Sequence, residues 1–196
     1  MKKAILLVLV ILPFFTTHAQ TSFGFKGGGN FSSLGGKDGN RDDTKSQAGF
    51  NFGGLVRFPA GKQTCVQTEL LFSTKGFRIL ELGGDYKSRF NYLSLPVLLR
   101  YSFLSGFYME AGPALSFLLK AERETNVVGS VNVKDAYRST AFSWCAGLGY
   151  QLKNGLGIGT RYNTGLSSIS SNNNLNIKFN VLRFGLEWTF RKNEKK

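Results

Sequence analysis

The chain has 196 residues, with 25 Lys and Arg against 12 Asp and Glu, a formal net charge of +13 and a single histidine. That length suits one domain with a real interior and is small for two. The basic residues are scattered and not gathered on one stretch, which argues against a nucleic-acid surface and leaves an anionic lipid surface as the simpler partner.

Residues 1–19 read as a secretory signal peptide: Lys2 and Lys3, an apolar run from Ala4 to Phe15, then Thr17-His18-Ala19 as the peptidase site. The run is too short to cross a bilayer as a helix, which takes about 20 residues. Cleavage after Ala19 is expected, giving a mature chain that starts at Gln20, with no Cys at the cut to carry a lipid anchor. Its formal charge falls to +11, and the only histidine, His18, leaves with the peptide.

No later stretch has the 18 or so uninterrupted apolar residues of a membrane helix. Alternation takes their place, as a half-buried strand requires. Phe23, Phe25 and Phe31 oppose Lys26, Gly28 and Asn30. Phe50, Phe52, Val56 and Phe58 oppose Asn51, Gly53 and Arg57. The third segment sets Val66, Leu70 and Phe72 against Gln67, Glu69, Ser73 and Lys75, with Leu71 breaking the pattern. The fourth sets Leu93, Leu95, Val97, Leu99 and Tyr101 against Ser94 and Arg100.

In the fifth, Phe107, Met109, Ala111, Leu115, Phe117 and Leu119 oppose Glu110, Gly112, Ser116 and Lys120. The sixth has Phe142, Trp144, Ala146, Leu148, Tyr150 and Leu152 against Ser143, Gly147, Gly149 and Gln151. The seventh has Leu156, Ile158 and Tyr162 against Gly157, Gly159, Arg161 and Asn163. The eighth has Leu182, Phe184, Leu186, Trp188 and Phe190 against Arg183, Gly185, Glu187 and Thr189. Eight is an even number, as a closed single-chain outer-membrane barrel requires.

Connections alternate in length. Short turns are expected near Pro59 to Thr64, Ser102 to Gly106 and Lys153 to Gly155. Long polar connections are expected near Ser33 to Gln47, Arg78 to Arg89, Ala121 to Ser139 and Gly165 to Asn176. Short turns on one rim and long loops on the outward rim are the outer-membrane arrangement. The fold class is therefore all-β: an eight-stranded antiparallel up-and-down transmembrane barrel over residues 20–190, followed by a basic, solvated tail at 191–196.

If the apolar parity faces lipid, the interior holds Lys26, Arg57, Glu69, Arg100, Glu110, Arg161, Arg183 and Glu187. An eight-stranded barrel is just wide enough for side chains to fill, so these charges should pair as a polar plug. Tyr101, Phe107, Trp144, Tyr150, Trp188 and Phe190 fall near strand ends, where amphipathic rings favour the interface, and form the expected aromatic girdle. Pro96 and Pro113 lie inside strands and cannot donate to the ladder, which predicts a bulge or a frayed pair. Cys65 and Cys145 form no CxxC motif; a disulfide between them and two buried thiols are both open.

Gly24-Phe25-Lys26-Gly27-Gly28-Gly29-Asn30-Phe31-Ser32, Tyr92-Leu93-Ser94-Leu95-Pro96-Val97-Leu98-Leu99-Arg100-Tyr101 and Arg161-Tyr162-Asn163-Thr164-Gly165-Leu166 resemble the PorT-like outer-membrane β-barrel family. These are small "porin family" barrels of Bacteroidota, distantly OmpA-like, and the resemblance runs over the whole mature chain. It implies a role in the outer membrane, with links to secretion and gliding for some relatives. Family members often carry an acid where this chain has Ser94, which implies one interior charge pair fewer. The last strand, ending in Phe190, resembles the signal read by the outer-membrane assembly machinery, here with six residues after it.

Enzyme chemistry is not indicated. With no histidine after export, the commonest general base is missing, and Asp42 and Asp43 read as solvated loop acids. Asp38, Asn40 and Asp42 start like a calcium loop, yet the glycine position holds Asp43 and the terminal Glu position holds Gly49, so no metal or other cofactor is expected. Gly27-Gly28-Gly29 lacks the Lys-Ser/Thr of a phosphate loop. The leading reading is a non-enzymatic surface barrel for scaffolding, binding or secretion. The alternatives are a narrow channel for small solutes or ions, and a soluble periplasmic barrel that turns its apolar parity inward.

Overall fold

A segment with one greasy and one polar parity can bury neither face alone, and in lipid its backbone must be paired on both edges. The chain meets both demands by closing. The computed structural model describes residues 21–39, 44–81, 84–125 and 129–190. The expected signal peptide at 1–19, the expected tail at 191–196, and Asn40, Asp42 and Asp43 lie outside the described residues.

The strands are β1 (Ser22–Gly35), β2 (Thr44–Pro59), β3 (Thr64–Glu81), β4 (Gly84–Ser102), β5 (Phe107–Thr125), a short β6 (Gly129–Asn132), β7 (Thr140–Gln151), β8 (Leu156–Gly165) and β9 (Lys178–Phe190). All but β6 form one antiparallel cycle in the order β4-β3-β2-β1-β9-β8-β7-β5, with β5 pairing back onto β4. The first and last strands seal the seam from Phe23↔Phe190 to Gly35↔Lys178. This is a closed eight-stranded barrel. No helix among the described residues is long and apolar enough to cross a membrane.

The three short turns stand where the sequence puts them, at the end that also holds Ser22 and Phe190. At the other end three of the four expected loops are shorter than read, while the connection from Gly165 to β9 keeps its expected length. Arg78 to Arg89 is mostly paired strand, with β3 and β4 running together to Glu81↔Gly84. Strand β5 continues to Thr125 against both β4 and β6. The barrel wall is therefore uneven: β3, β4 and β5 have 18, 19 and 19 residues, while β7 and β8 have 12 and 10. About 9 to 11 suffice to cross the hydrocarbon layer, so the β3–β5 wall stands proud of it. What supports that extension is apolar chain on its inner face, including the fully buried Phe90 and Ala121.

Pro96 and Pro113 each coincide with a lapse and no bulge. The β3–β4 ladder is interrupted across Pro96, between Thr68↔Val97 and Leu71↔Ser94, and the β4–β5 ladder across Pro113, between Pro96↔Ala114 and Leu99↔Ala111; both resume in the same register. Register shifts fall elsewhere, in β2 between Ser46 and Asn51 and in β5 opposite Asn91 and Tyr92.

Orientation follows parity. Phe52, Trp144 and Phe184 point outward with 56%, 47% and 48% of their surface exposed, whereas Glu187 and Arg100 are at 2% and 1%. A soluble barrel would have these reversed. Leu71, which broke the alternation, is inside and fully buried. Both cysteines are free: Cys65 is half-buried, and Cys145 lies in the lumen, where its Sγ accepts a hydrogen bond from Asn163 Nδ2 at 2.9 Å.

Candidate functional site

Among the described residues, chemistry-bearing side chains converge in the lumen, and the strands stack them in three levels. Nearest the short turns, Glu187 of β9 receives Arg57 of β2 at 2.6 Å and Arg100 of β4 at 2.7 Å. Gln67 and Gln151 tie the two guanidiniums together, with Arg57 Nε donating to Gln67 Oε1 at 2.6 Å and Arg100 Nη2 donating to Gln151 Oε1 at 3.0 Å. Arg100 also lies 3.3 Å over the Tyr108 ring, a cation–π contact.

Tyr108 fits because the wall beside it is glycine. Gly149 is its direct cross-strand partner on β7, and Gly159, Gly185 and Gly28 continue the row across β8, β9 and β1. A Cβ at Gly149 or Gly159 would run into the Tyr108 ring and hydroxyl. At this height the large side chains of β4 and β5 thus fill space that a row of glycines leaves open, which is how so narrow a barrel accommodates Arg and Tyr.

The middle level centres on Arg161 of β8. Its Nη1 and Nη2 donate to the two oxygens of Glu69 on β3, each at 2.7 Å, and its Nε donates to Glu110 of β5 at 2.7 Å. This bidentate fork is geometry that lysine cannot supply. Lys26 of β1 stands 3.6 Å from Glu69, 3.8 Å from Glu110 and 3.7 Å from Glu187, joining this level to the one below. Seven of the eight charges singled out in the sequence therefore meet in one network. Arg183 is buried beside it with no carboxylate contact among the described residues, and its Nε and Nη1 have no hydrogen-bond partner there.

The upper level was missed in the sequence. Lys75 is buried there, its Nζ 4.6 Å over the Tyr92 ring. Its parity with Glu69 and Ser73 was the available signal. Above it the interior turns apolar: Phe77, Phe90, Tyr92, Leu118, Ile169 and Phe179 form a buried cluster. Ile169 arrives from the β8–β9 loop, and Tyr137 of the β6–β7 connection stacks edge-on against Phe90 at 4.7 Å. The signal for this cap was apolar residues on both parities near the loop end of β3, β4 and β9.

The six residues expected to form the girdle are all outward and exposed. Tyr101, Phe107, Tyr150, Trp188 and Phe190 cluster toward the short-turn rim, as in the Phe107↔Tyr150 and Phe25↔Trp188 pairings. Trp144 sits apart, two thirds of the way up β7 toward the loops, paired with Pro113 and Thr164.

A closed barrel with an apolar exterior and a lumen full of paired charges is an integral outer-membrane protein, whose outer face meets lipid. The chain belongs to the outer membrane protein beta-barrel domain family, which it matches over residues 18–171. Among solved structures it is similar to Ail, the attachment invasion locus protein of Yersinia pestis, in complex with the heparin analogue sucrose octasulfate, at 19% identity and a TM-score of 0.53 over 87% of this chain and 99% of Ail. Neisserial surface protein A is similar at 14% identity and a TM-score of 0.55, over 87% of this chain and 99% of that one. At such identities the likeness speaks for the fold. Comparison with curated proteins found no match.

Proposed function

We propose that this protein is a sealed, non-enzymatic barrel that acts through what its outward rim presents, as a surface scaffold, binding or secretion-associated protein of PorT-like type. The observation that carries the reading is closure at three heights. The Arg57–Arg100–Glu187 group, the Arg161–Glu69–Glu110 group and the Phe77–Phe90–Phe179 cap follow one another along the axis. The cavities between these side chains hold only about 10 Å³ each, room for roughly a single water.

In this reading, residues 1–19 are removed on export, residues 20–190 form the barrel, and 191–196 remain as a basic tail. The outward girdle residues Tyr101, Phe107, Trp144, Tyr150, Trp188 and Phe190 anchor it at the interfaces, and the assembly machinery reads β9. The lumen charges serve stability, because ionic groups inside a membrane protein pair whether or not they transport anything.

Planar-bilayer recording tests the proposal: the purified barrel should show no steady conductance, and a large, steady current would refute it. The alternative is a narrow channel for small ions, favoured by the surplus of bases over acids in the lumen. In that case Arg100→Ser or Arg183→Ser would change the ion selectivity of a measurable current.

A further inference from the structure

The tall wall carries a row of like charges on its outer side. Lys45 of β2, Arg78 of β3 and Lys87 of β4 are direct cross-strand neighbours, through the pairings Lys45↔Arg78 and Arg78↔Lys87. All three point away from the lumen: Lys45 and Arg78 are exposed, and Lys87 alternates with the buried Ser88. Residues so paired have Cβ atoms about 4.5–5.5 Å apart, and like charges directly opposite one another destabilise a sheet. The described acids of the wall do not relieve them. Glu124, which faces Lys87 across the β4–β5 ladder, holds Arg89 at 3.0 Å, and Glu122 holds Lys120 at 2.7 Å. Among the described residues no carboxylate lies within ion-pair distance of Lys45, Arg78 or Lys87.

The height of the row decides what meets it. Phe52, Phe72, Leu93 and Phe117 form an unbroken apolar row across the outer side of β2, β3, β4 and β5. From Leu93 down to Tyr101, β4 supplies nine residues, the length that crosses the hydrocarbon layer. Above Leu93 the outward pairs turn polar: Thr74↔Asn91, then Gly76↔Arg89, then Arg78↔Lys87. Arg78 stands six residues beyond Phe72 in β3. At about 3.4 Å per residue and a strand tilt of about 40°, that is about 15 Å along the barrel axis. The headgroup layer of a phospholipid leaflet is only about 5–8 Å deep. The row therefore stands above phospholipid phosphates, at the level of the sugars of a membrane glycolipid.

We propose that Lys45, Arg78 and Lys87 dock the phosphorylated sugar headgroup of a glycolipid in the outer leaflet. Arg78, in the middle, offers the planar fork that grips a phosphate through two hydrogen bonds, and the lysines flank it as point charges. The acyl chains of the same lipid lie against Phe50, Phe52 and Phe72, whose rings pack together below the row at 5.5–6.2 Å. The bound anion relieves repulsion that the described acids leave in place, and it ties one lipid to the tall side of the barrel.

The test uses the full chain refolded into nonionic micelles and titrated with fluorescently labelled rough lipopolysaccharide bearing phosphorylated core sugars. The unlabelled form should displace the probe at a concentration at least about tenfold lower than phosphatidylglycerol or the soluble core oligosaccharide. Each base near an anionic lipid surface contributes about fivefold to affinity. Lys45→Gln with Arg78→Gln and Lys87→Gln should therefore weaken binding at least about tenfold, and added salt should weaken the wild type more than this triple variant. Lys62→Gln with Lys153→Gln, on the short-turn rim, should leave binding unchanged. Equal displacement by phosphatidylglycerol overturns the height argument, and equal displacement by the soluble oligosaccharide overturns the lipid as the source. Wild-type affinity in the triple variant, or an equal loss in the Lys62 and Lys153 variant, overturns the placement. Should the triple variant not fold, Arg78→Gln alone should cost about fivefold, and no loss there overturns the site. A conducting barrel would refute the sealed lumen without touching this site, and a failure to bind the glycolipid would leave the sealed lumen standing.

Discussion

Replacing Arg161 by Met removes the hub of the middle level while keeping an unbranched, apolar stem of similar reach. Arg161 donates three hydrogen bonds of 2.7 Å to Glu69 and Glu110, all three residues being buried. Hydrogen bonds to charged groups contribute about 1.5–3 kcal/mol each, but they do not add within one network. The relevant cost is that of stranding two buried carboxylates, about 3–5 kcal/mol for removing one partner of a buried pair. Lys26, already 3.6 and 3.8 Å from these acids, takes up part of the loss, which places the expected destabilisation near the lower end, at about 3 kcal/mol. Urea unfolding of the barrel in phospholipid vesicles, followed by the fluorescence of Trp144 and Trp188, measures it. Adding Glu69→Gln and Glu110→Gln to Arg161→Met should restore most of the stability, because the stranded charges are then gone. A loss under about 1 kcal/mol for the single variant, or a triple variant no better than the single, would refute the reasoning.

Two further outcomes follow from the lumen and from the wall. Gly149→Ala pushes a methyl group into the Tyr108 ring, over which Arg100 already packs, and should cost about 1–3 kcal/mol as overpacking in the same unfolding assay. Phe184→Arg places a charge on the outward face near mid-height of β9, and should cost about 2–4 kcal/mol in vesicles. In a short-chain detergent that lets the guanidinium reach water, the same variant should lose much less, and equal losses in both media would argue that Phe184 does not face lipid.

Much of this architecture can be read along the chain because strand parity is local. A period of two sends Phe23 and Phe25 to lipid and Lys26 to the lumen without reference to any other strand, and eight such segments ask for closure. The same rule separated Glu69, Glu110, Arg161 and Glu187 from their apolar neighbours. It could not pair them. Arg161 meets Glu69 across 92 positions of sequence, and which charges share a height depends on the stagger of eight strands, a property of the closed sheet and of no single segment. Stagger also decided that Arg183 stands beside the network and not in it, and that Lys75 comes to lie over the Tyr92 ring. The cap was hidden for a related reason: Phe90, Tyr92 and Phe179 occupy the polar parity, and only the tall β3–β5 wall, with the β8–β9 loop folded against it, gives that greasy surface something to bury against.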